Sequence, residues 1–313
     1  VEEKYPISEE EGEEDNAYLS YNMVTGNVKD IRRCLGFEIL DYALLSAPGA
    51  PLKQALLDAG IGKDVYGSYE DGILQTYFSV VAKGASADQK ESFVKVIRDT
   101  LTKIADEGID KKAVTAGINY FEFRFREADF SSYPKGLMYG LDILGSWLYD
   151  DKEAFVQVQL LEAFDYLKEA VNKGYFENLI RKYLLDNTHG SVLTLVPEKG
   201  LAAKKDKALA DKLEEYRKSL SEEELEAMVE KTKALEAYQE AEEDPEALTC
   251  IPMLAREDIK KEAAPLNNEE REVDGSLFLY HDVCTNGIGY LDLMFKIRDF
   301  DTDKVHYMGL LKS

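Results

Sequence analysis

Residues Ile39 to Gly60 read ILDYALLSAPGAPLKQALLDAG, and this stretch sets the architecture. Val28, Ile31, Leu35, Ile39 and Tyr42 recur three and four apart, so the chain entering it is a helix with one apolar face. Pro48 and Pro51 bracket a break of small residues. A second helix then runs over Leu52 to Ala59, with Gly60 as its stop. Upstream, Tyr18 to Val24 alternates like a strand and ends at Gly26. Downstream, Asp64 to Tyr69 and Ile73 to Val81 are rich in aromatic and β-branched residues. Glu70-Asp71-Gly72 supplies the turn of a hairpin between them. Helices follow, with Phe93, Ile97, Leu101 and Ile104 on one face, then Val114, Ile118, Phe121 and Phe125 between Asp110 and Ala128. Pro134 opens a helix carrying Leu137, Leu141, Leu144 and Leu148. After two shorter helical segments, Ser191 to Val196 is a strand. The order strand, helices, hairpin, helices, strand predicts an α+β domain whose helices cover one face of a mostly antiparallel sheet.

The flanks differ in kind. Residues 1–17 begin with eight acids in fifteen positions against the single Lys4 and read as a solvated acidic linker, so order is expected from Tyr18. The α+β domain would occupy residues 18–200. From Ala202 to about Glu243 there is neither Gly nor Pro. Leu209, Leu213, Tyr216 and Leu220 mark one helix face there, and Leu225, Met228, Thr232 and Leu235 another. Ser221-Glu222-Glu223-Glu224 between them fits a capping box. Residues 201–265 are therefore a long helical hairpin, its second helix ended by Asp244-Pro245, with a polar connector beyond. In residues 266–313, Leu277 to Val283 and Ile288 to Phe295 suggest two strands joined around Asn286-Gly287. They would open a further β-rich unit that the remaining residues cannot complete.

Composition excludes several classes of function. The 313 residues carry a net charge of -23, so nothing can neutralise a run of phosphates or an anionic membrane surface. With 45% hydrophobic residues the chain can bury a sizeable core, but no run approaches the ~20 apolar residues of a spanning helix. Cys34, Cys250 and Cys284 form neither a metal spacing nor a disulfide framework, which points to a reducing, cytoplasmic compartment, or an organelle in a eukaryote. The opening Val1-Glu2-Glu3, without an initiator Met, reads as an internal cut from a longer protein.

The search for catalytic chemistry turns on His189, His281 and His306. None has a second His or an acid at helical ligand spacing, and neither H-E-x-x-H nor H-x-x-E-H occurs. His189 belongs to a turn before a strand. His281 and Cys284, three apart on an expected strand, point to opposite faces. No P-loop or dinucleotide fingerprint is present. No catalytic and no metal-binding residue is assigned. The substrate-binding candidates are Arg124 and Arg126 in Phe121-Glu122-Phe123-Arg124-Phe125-Arg126-Glu127, either of which could hold a peptide carboxylate. The structural alternative is an ion pair of Glu122 with Arg126, four residues on, with the phenylalanines facing the core.

The segment from Ile39 to Gly60 resembles a recurrent unit of insulinase-type (pitrilysin-type) metallopeptidase domains, and Tyr77-Phe78-Ser79-Val80-Val81 fits the same unit. Tyr133-Pro134-Lys135-Gly136-Leu137, Trp147-Leu148-Tyr149-Asp150-Asp151, Pro197-Glu198-Lys199-Gly200-Leu201 and Ile288-Gly289-Tyr290-Leu291-Asp292 resemble the presequence-peptidase (falcilysin-like) branch. The resemblance implies four homologous α+β domains in two halves, joined by a helical hairpin and closed around a peptide chamber. Only the first would carry the zinc site. This chain would be the second domain, the hairpin linker and the start of the third, a chamber wall and hinge of a zinc endopeptidase degrading short unstructured peptides. Its partners would be peptide substrates and the remaining domains of the same polypeptide, with zinc in the parent enzyme and none bound here. The rival reading is an inactive insulinase-fold binding or assembly module.

Overall fold

The computed structural model describes residues 1–242, 244–262, 265, 268–296 and 301–311. In chain order the elements are β1 (Glu2–Ile7), β2 (Ala17–Asn27), α1 (Ile31–Asp41), α2 (Pro51–Asp58), β3 (Asp64–Glu70), β4 (Gln75–Ala85), α3 (Lys90–Glu107), α4 (Lys111–Glu127) and α5 (Lys135–Trp147). They continue with α6 (Leu161–Ala170), α7 (Tyr175–Leu179), β5 (Gly190–Lys199), α8 (Leu201–Ser219), α9 (Glu222–Glu240), α10 (Pro245–Leu248), β6 (Glu269–Val273), β7 (Ser276–Tyr280) and α11 (Val305–Leu311). Five strands form one sheet in the order β1-β5-β2-β4-β3; β1 runs parallel to β5 and the other pairings are antiparallel. The expected α+β architecture, helices over a mostly antiparallel sheet, is what the chain adopts.

Alternation decides which face is covered. Along β2, Ala17, Leu19, Tyr21, Met23 and Thr25 are buried, while the residues between them are half-buried. Across the ladder Leu19 pairs with Ala82, Tyr21 with Val80 and Met23 with Phe78, and all six lie in one core. Helix α1 brings Leu35, Phe37, Ile39 and Leu40 onto that face, and α3 brings Phe93, Ile97 and Leu101. Phe37 meets Phe78 at 6.0 Å, stacks on Tyr69 at 5.5 Å and takes Tyr183 edge-on at 5.9 Å. The opposite face is different. Tyr18, Ser20, Asn22, Val24, Tyr77, Val81, Leu193 and Leu195 remain half-buried and Tyr66 is exposed. There the Ser79 and Ser20 hydroxyls both donate to Asn22 Oδ1, at 2.6 and 3.0 Å.

Three expectations need correction. Residues 1–17 are not simply a linker, because Glu2–Ile7 adds an edge strand beside β5. Tyr5 packs edge-on against Tyr18 at 5.5 Å and donates its hydroxyl to Asn16 O, and Lys4 pairs with Glu198 at 2.7 Å. Backbone pairing to an open sheet edge does not need the apolar alternation that the acidic run lacks. The second long helix ends at Glu240, and Pro245 starts the short α10 rather than stopping α9. The C-terminal hairpin is β6–β7, turning at Asp274-Gly275, where both residues have positive φ (50° and 76°). Asn286-Gly287 also turns with positive φ, but residues 281–296 form no strand. The expected start of the third unit at residues 266 and 267 lies outside the described residues.

Helices α8 and α9 follow β5 directly, and α8 packs on β1. Ser221 caps α9 as its sequence predicts: its Oγ accepts from Glu224 N at 3.2 Å, while Ser221 N donates to the Glu224 carboxylate at 2.8 Å. Neither helix buries a residue, and Leu209, Leu213, Tyr216, Met228 and Leu235 are all exposed.

Gly190 starts β5 where a Cβ would lie 2.7 Å from the Asn22 carbonyl oxygen, a backbone atom fixed by the ladder. Gly190→Ala should cost about 1–3 kcal/mol in urea unfolding. Gly136→Ala, with nothing within 4 Å of the new methyl, should raise stability by about 0.5–1 kcal/mol. Ser221→Ala should remove about 1 kcal/mol of local stability, read as faster amide exchange in the first turns of α9 with α3 unchanged.

Candidate functional site

Helix α4 is capped by Asp110, whose carboxylate accepts from the backbone N–H groups of Lys112 and Ala113 at 2.8 and 3.4 Å. It lays Val114 and Ile118 into the core and packs on α1 and α6, with Tyr120 stacked on Tyr42 at 5.5 Å. Phe121 and Phe125 pack against the core, but Phe123 is exposed, so only two of the three phenylalanines face inward.

The two arginine candidates have different fates. Arg126 donates Nε and Nη2 to Glu122 Oε1 at 2.9 and 2.8 Å, and Lys168 from α6 reaches Glu122 Oε2 at 2.7 Å. Burial works against the Glu122 charge, yet these two cations hold its carboxyl below the usual range. Arg126 Nη1 also donates to Asn286 O at 3.3 Å. Asn286 Nδ2 returns a bond to Arg126 O at 3.0 Å, and Tyr290 OH donates to Glu127 at 3.1 Å. The Asn286-Gly287 turn thus caps the C-terminus of α4, and Arg126 is committed to structure. Arg124 is exposed, lies 5.6 Å from the Tyr120 ring centroid, and opens into a cavity.

That cavity, about 530 Å³, lies between α1, α4, the β3–β4 turn and α5. Its apolar wall is Leu35, Phe121, Phe125, Phe130, Leu160 and Phe164, and its polar groups are Glu38, Asp71, Arg124, Glu127, Asp129 and Asp142. Glu38 and Asp71 both line this cavity, and each lies close enough to the other to affect its charge. Burial, then the negative charge of Asp71, pushes Glu38 up to about 8, with Arg124 opposing. Burial also raises Asp71, helped by the charges of Glu70 and Asp142, and it raises Asp142. One turn along α1, burial lifts Asp41 to about 6 although the Ser46 hydroxyl donates to it at 3.2 Å. Sequence reasoning missed Glu38, whose signal was its place inside the apolar stripe, three after Leu35 and four before Tyr42. Asp71 showed only as a turn residue.

The histidines lie apart in sequence and setting. His189 is in the turn before β5, where its N–H donates to Asn187 Oδ1 at 2.8 Å. His281 and Cys284 follow the end of β7, so neither is on a strand. His306 is in α11 beside Tyr307. Zinc does not fit these residues: among the described residues no group of three or more His, Cys, Asp or Glu could hold a metal ion. Cys34 is buried, which raises its thiol to about 12, and all three cysteines are free. Among the described residues no helix is long and apolar enough to cross a membrane.

Residues 1–121 match the family model of the peptidase M16 inactive domain, and residues 195–313 match that of the region associated with the C branch of the M16 peptidases. Protein HypA of Clostridium perfringens is 41% identical over 307 residues, covering 98% of this chain and 31% of that protein. Presequence protease 1, chloroplastic/mitochondrial, of Arabidopsis thaliana is 32% identical over 301 residues, covering 94% of this chain and 28% of its own length. The chain therefore spans less than a third of these curated relatives. A solved peptidase M16 inactive domain from Pseudomonas fluorescens aligns with a TM-score of 0.42 at 13% identity, over 63% of this chain and 42% of that one. The match of both family models and the identity to these relatives place the chain in the M16, or insulinase, family of peptidases, in its presequence-protease branch.

Proposed function

We propose that this chain is a non-catalytic wall and hinge of a zinc-dependent metalloendopeptidase that degrades short unstructured peptides inside a closed chamber. The observation that carries the reading is the asymmetry of the sheet, four of whose five strands lie in the residues that match the inactive-domain model. One face is sealed by α1 and α3, and the other presents Tyr18, Tyr66, Tyr77, Val81, Leu193 and Leu195 around the Ser20–Asn22–Ser79 cluster. A half-apolar, half-polar open sheet suits extended peptide of mixed sequence, because aromatic side chains cover apolar groups and also hydrogen-bond. The net charge of -23 favours basic peptides by long-range attraction.

Under this reading zinc belongs to another domain of the same polypeptide, α8 and α9 form the linking hairpin, and residues 266–313 begin the next domain. Arg124 is left as the substrate-contact candidate, since Arg126 is held by Glu122 and Asn286. Presequence proteases of other organisms carry mitochondrial and chloroplastic names. We place this chain in the cytoplasm, or in an organelle if its source is eukaryotic.

The test compares the 313-residue chain with the full product of its gene on an unstructured fluorogenic peptide. The chain alone should show background cleavage. The full product should cleave, lose activity to a zinc chelator and recover it with added zinc. A full product with neither zinc nor cleavage would overturn the peptidase reading in favour of an inactive binding module.

A further inference from the structure

The cavity between α1, α4, α5 and the β3–β4 turn has a chemical character of its own. Two aromatic pairs wall it: Phe125 against Phe164, with ring centroids 6.1 Å apart, and Phe130 edge-on to Tyr139 at 5.5 Å. The same wall carries Glu38 from α1, Asp71 from the turn and Asp142 from α5, with Glu127 and Asp129 at the end of α4. Glu127 accepts from the Tyr290 hydroxyl at 3.1 Å and Asp129 from Ser131 N at 2.9 Å. Among the described residues none of these five acids belongs to an ion pair, and the one cation on the wall is Arg124.

Both halves of the wall favour the same kind of guest. A carboxylate drawn out of water is stabilised by a positive partner that also donates hydrogen bonds. Aromatic rings attract a cation through their negative faces, and they cover hydrocarbon at the same time. An anion would meet five acids and one arginine. A neutral apolar guest would cover the acids and offer them nothing. A bare metal ion is a poor fit, because among the described residues no group of His, Cys, Asp or Glu could hold one.

We propose that this cavity binds an organic ammonium ion, its head donating to Glu38, Asp71 and Asp142 and its hydrocarbon body lying against the Phe125–Phe164 pair. The volume, about 530 Å³, falls in the range of small-molecule sites. The site is on the helix-covered side of the sheet, where Leu35 belongs both to the core and to the cavity wall, so it is separate from the open face around Tyr66 and Tyr77. Arg124 opposes the guest by charge, which makes it the position where affinity can be gained. A free amine and a lysine side chain of a peptide present the same chemistry.

The test is titration calorimetry of the 313-residue chain with phenethylammonium chloride at about pH 7 and low ionic strength. Binding to a single site per chain is expected, at least about tenfold tighter than methylammonium, which has the head without the body. Hydrocinnamate, a similar body with an anionic head, should not bind. Asp142→Asn should weaken phenethylammonium about threefold to tenfold, and Arg124→Gln should strengthen it by about the same factor. At Gly145 a Cβ would lie 3.9 Å from Asp71 O, so Gly145→Met puts a longer side chain into the cavity without a backbone clash and should abolish binding. Amide protection of α3 reports whether each variant is folded, and the two charge variants remain decisive if Gly145→Met is not. N-acetyl-lysine amide separates the two sources: affinity close to that of phenethylammonium assigns the site to a basic side chain, and no binding assigns it to a free amine. Equal affinity for phenethylammonium and methylammonium, a folded Gly145→Met chain that binds as the native one does, or charge variants that both leave affinity unchanged would overturn the proposal, leaving only diffuse attraction to a net charge of -23.

Discussion

Strand β2 must satisfy both of its edges and only one of its faces, and the rest of the domain is arranged around that requirement. Its backbone pairs with β4 on one side and β5 on the other, so it cannot shift by one residue without breaking two ladders. A one-residue slip would also send Leu19, Tyr21 and Met23 to the open face and bring Ser20 and Asn22 into the core. Each large apolar side chain so exposed would forfeit roughly 1.5–3 kcal/mol. The long crossing from β2 through α1 and α2 to β3 follows from the same constraint, because the helices have to return over the buried face. Thr25 and Thr76, the polar residues at the end of that face, meet hydroxyl to hydroxyl at 2.9 Å and so enter the core without an unpaired group.

Most of this was readable from periodicity. The stripe through Leu35 and Ile39, the alternation from Tyr18 to Val24 and the Glu70-Asp71-Gly72 turn each match one element, because in these segments local pattern and tertiary burial ask for the same residues. Where the two part company the reading went astray. The Glu2–Ile7 strand has no apolar alternation, since an edge strand exposed on one side is held by backbone pairing and by Tyr5 against Tyr18. At the C-terminus two turn signals, Asp274-Gly275 and Asn286-Gly287, competed. Both adopt positive φ, but only the first has strands on either side, and Asn286 spends its side chain on the end of α4. Turn chemistry marks where the chain bends; what pairs across the bend is a non-local matter.

The candidate site was legible only in part, for a related reason. Arg124 and Arg126 stand out in sequence as charges among phenylalanines, and the structure separates them by partner: one is saturated by Glu122 and Asn286, the other faces a cavity. Glu38 and Asp71 are thirty-three positions apart and become a pair only when the β3–β4 turn folds back on α1. No local pattern encodes that encounter. What the sequence does hold is a single discordant residue, a Glu within an apolar helical stripe, and such residues mark places where burial serves something other than stability.

That discordance bears on how the domain is stabilised. A carboxyl pair lining a cavity contributes little cohesion, since burial penalises both charges. The cohesive core lies elsewhere, around Phe37, Phe78, Phe93 and Phe176, all fully buried. Cohesion is thereby concentrated in one region. The sheet with α1 and α3 closes on a deep aromatic centre. The layer formed by α5, by contrast, rests on titratable groups, short turns and the ion pair to Lys29.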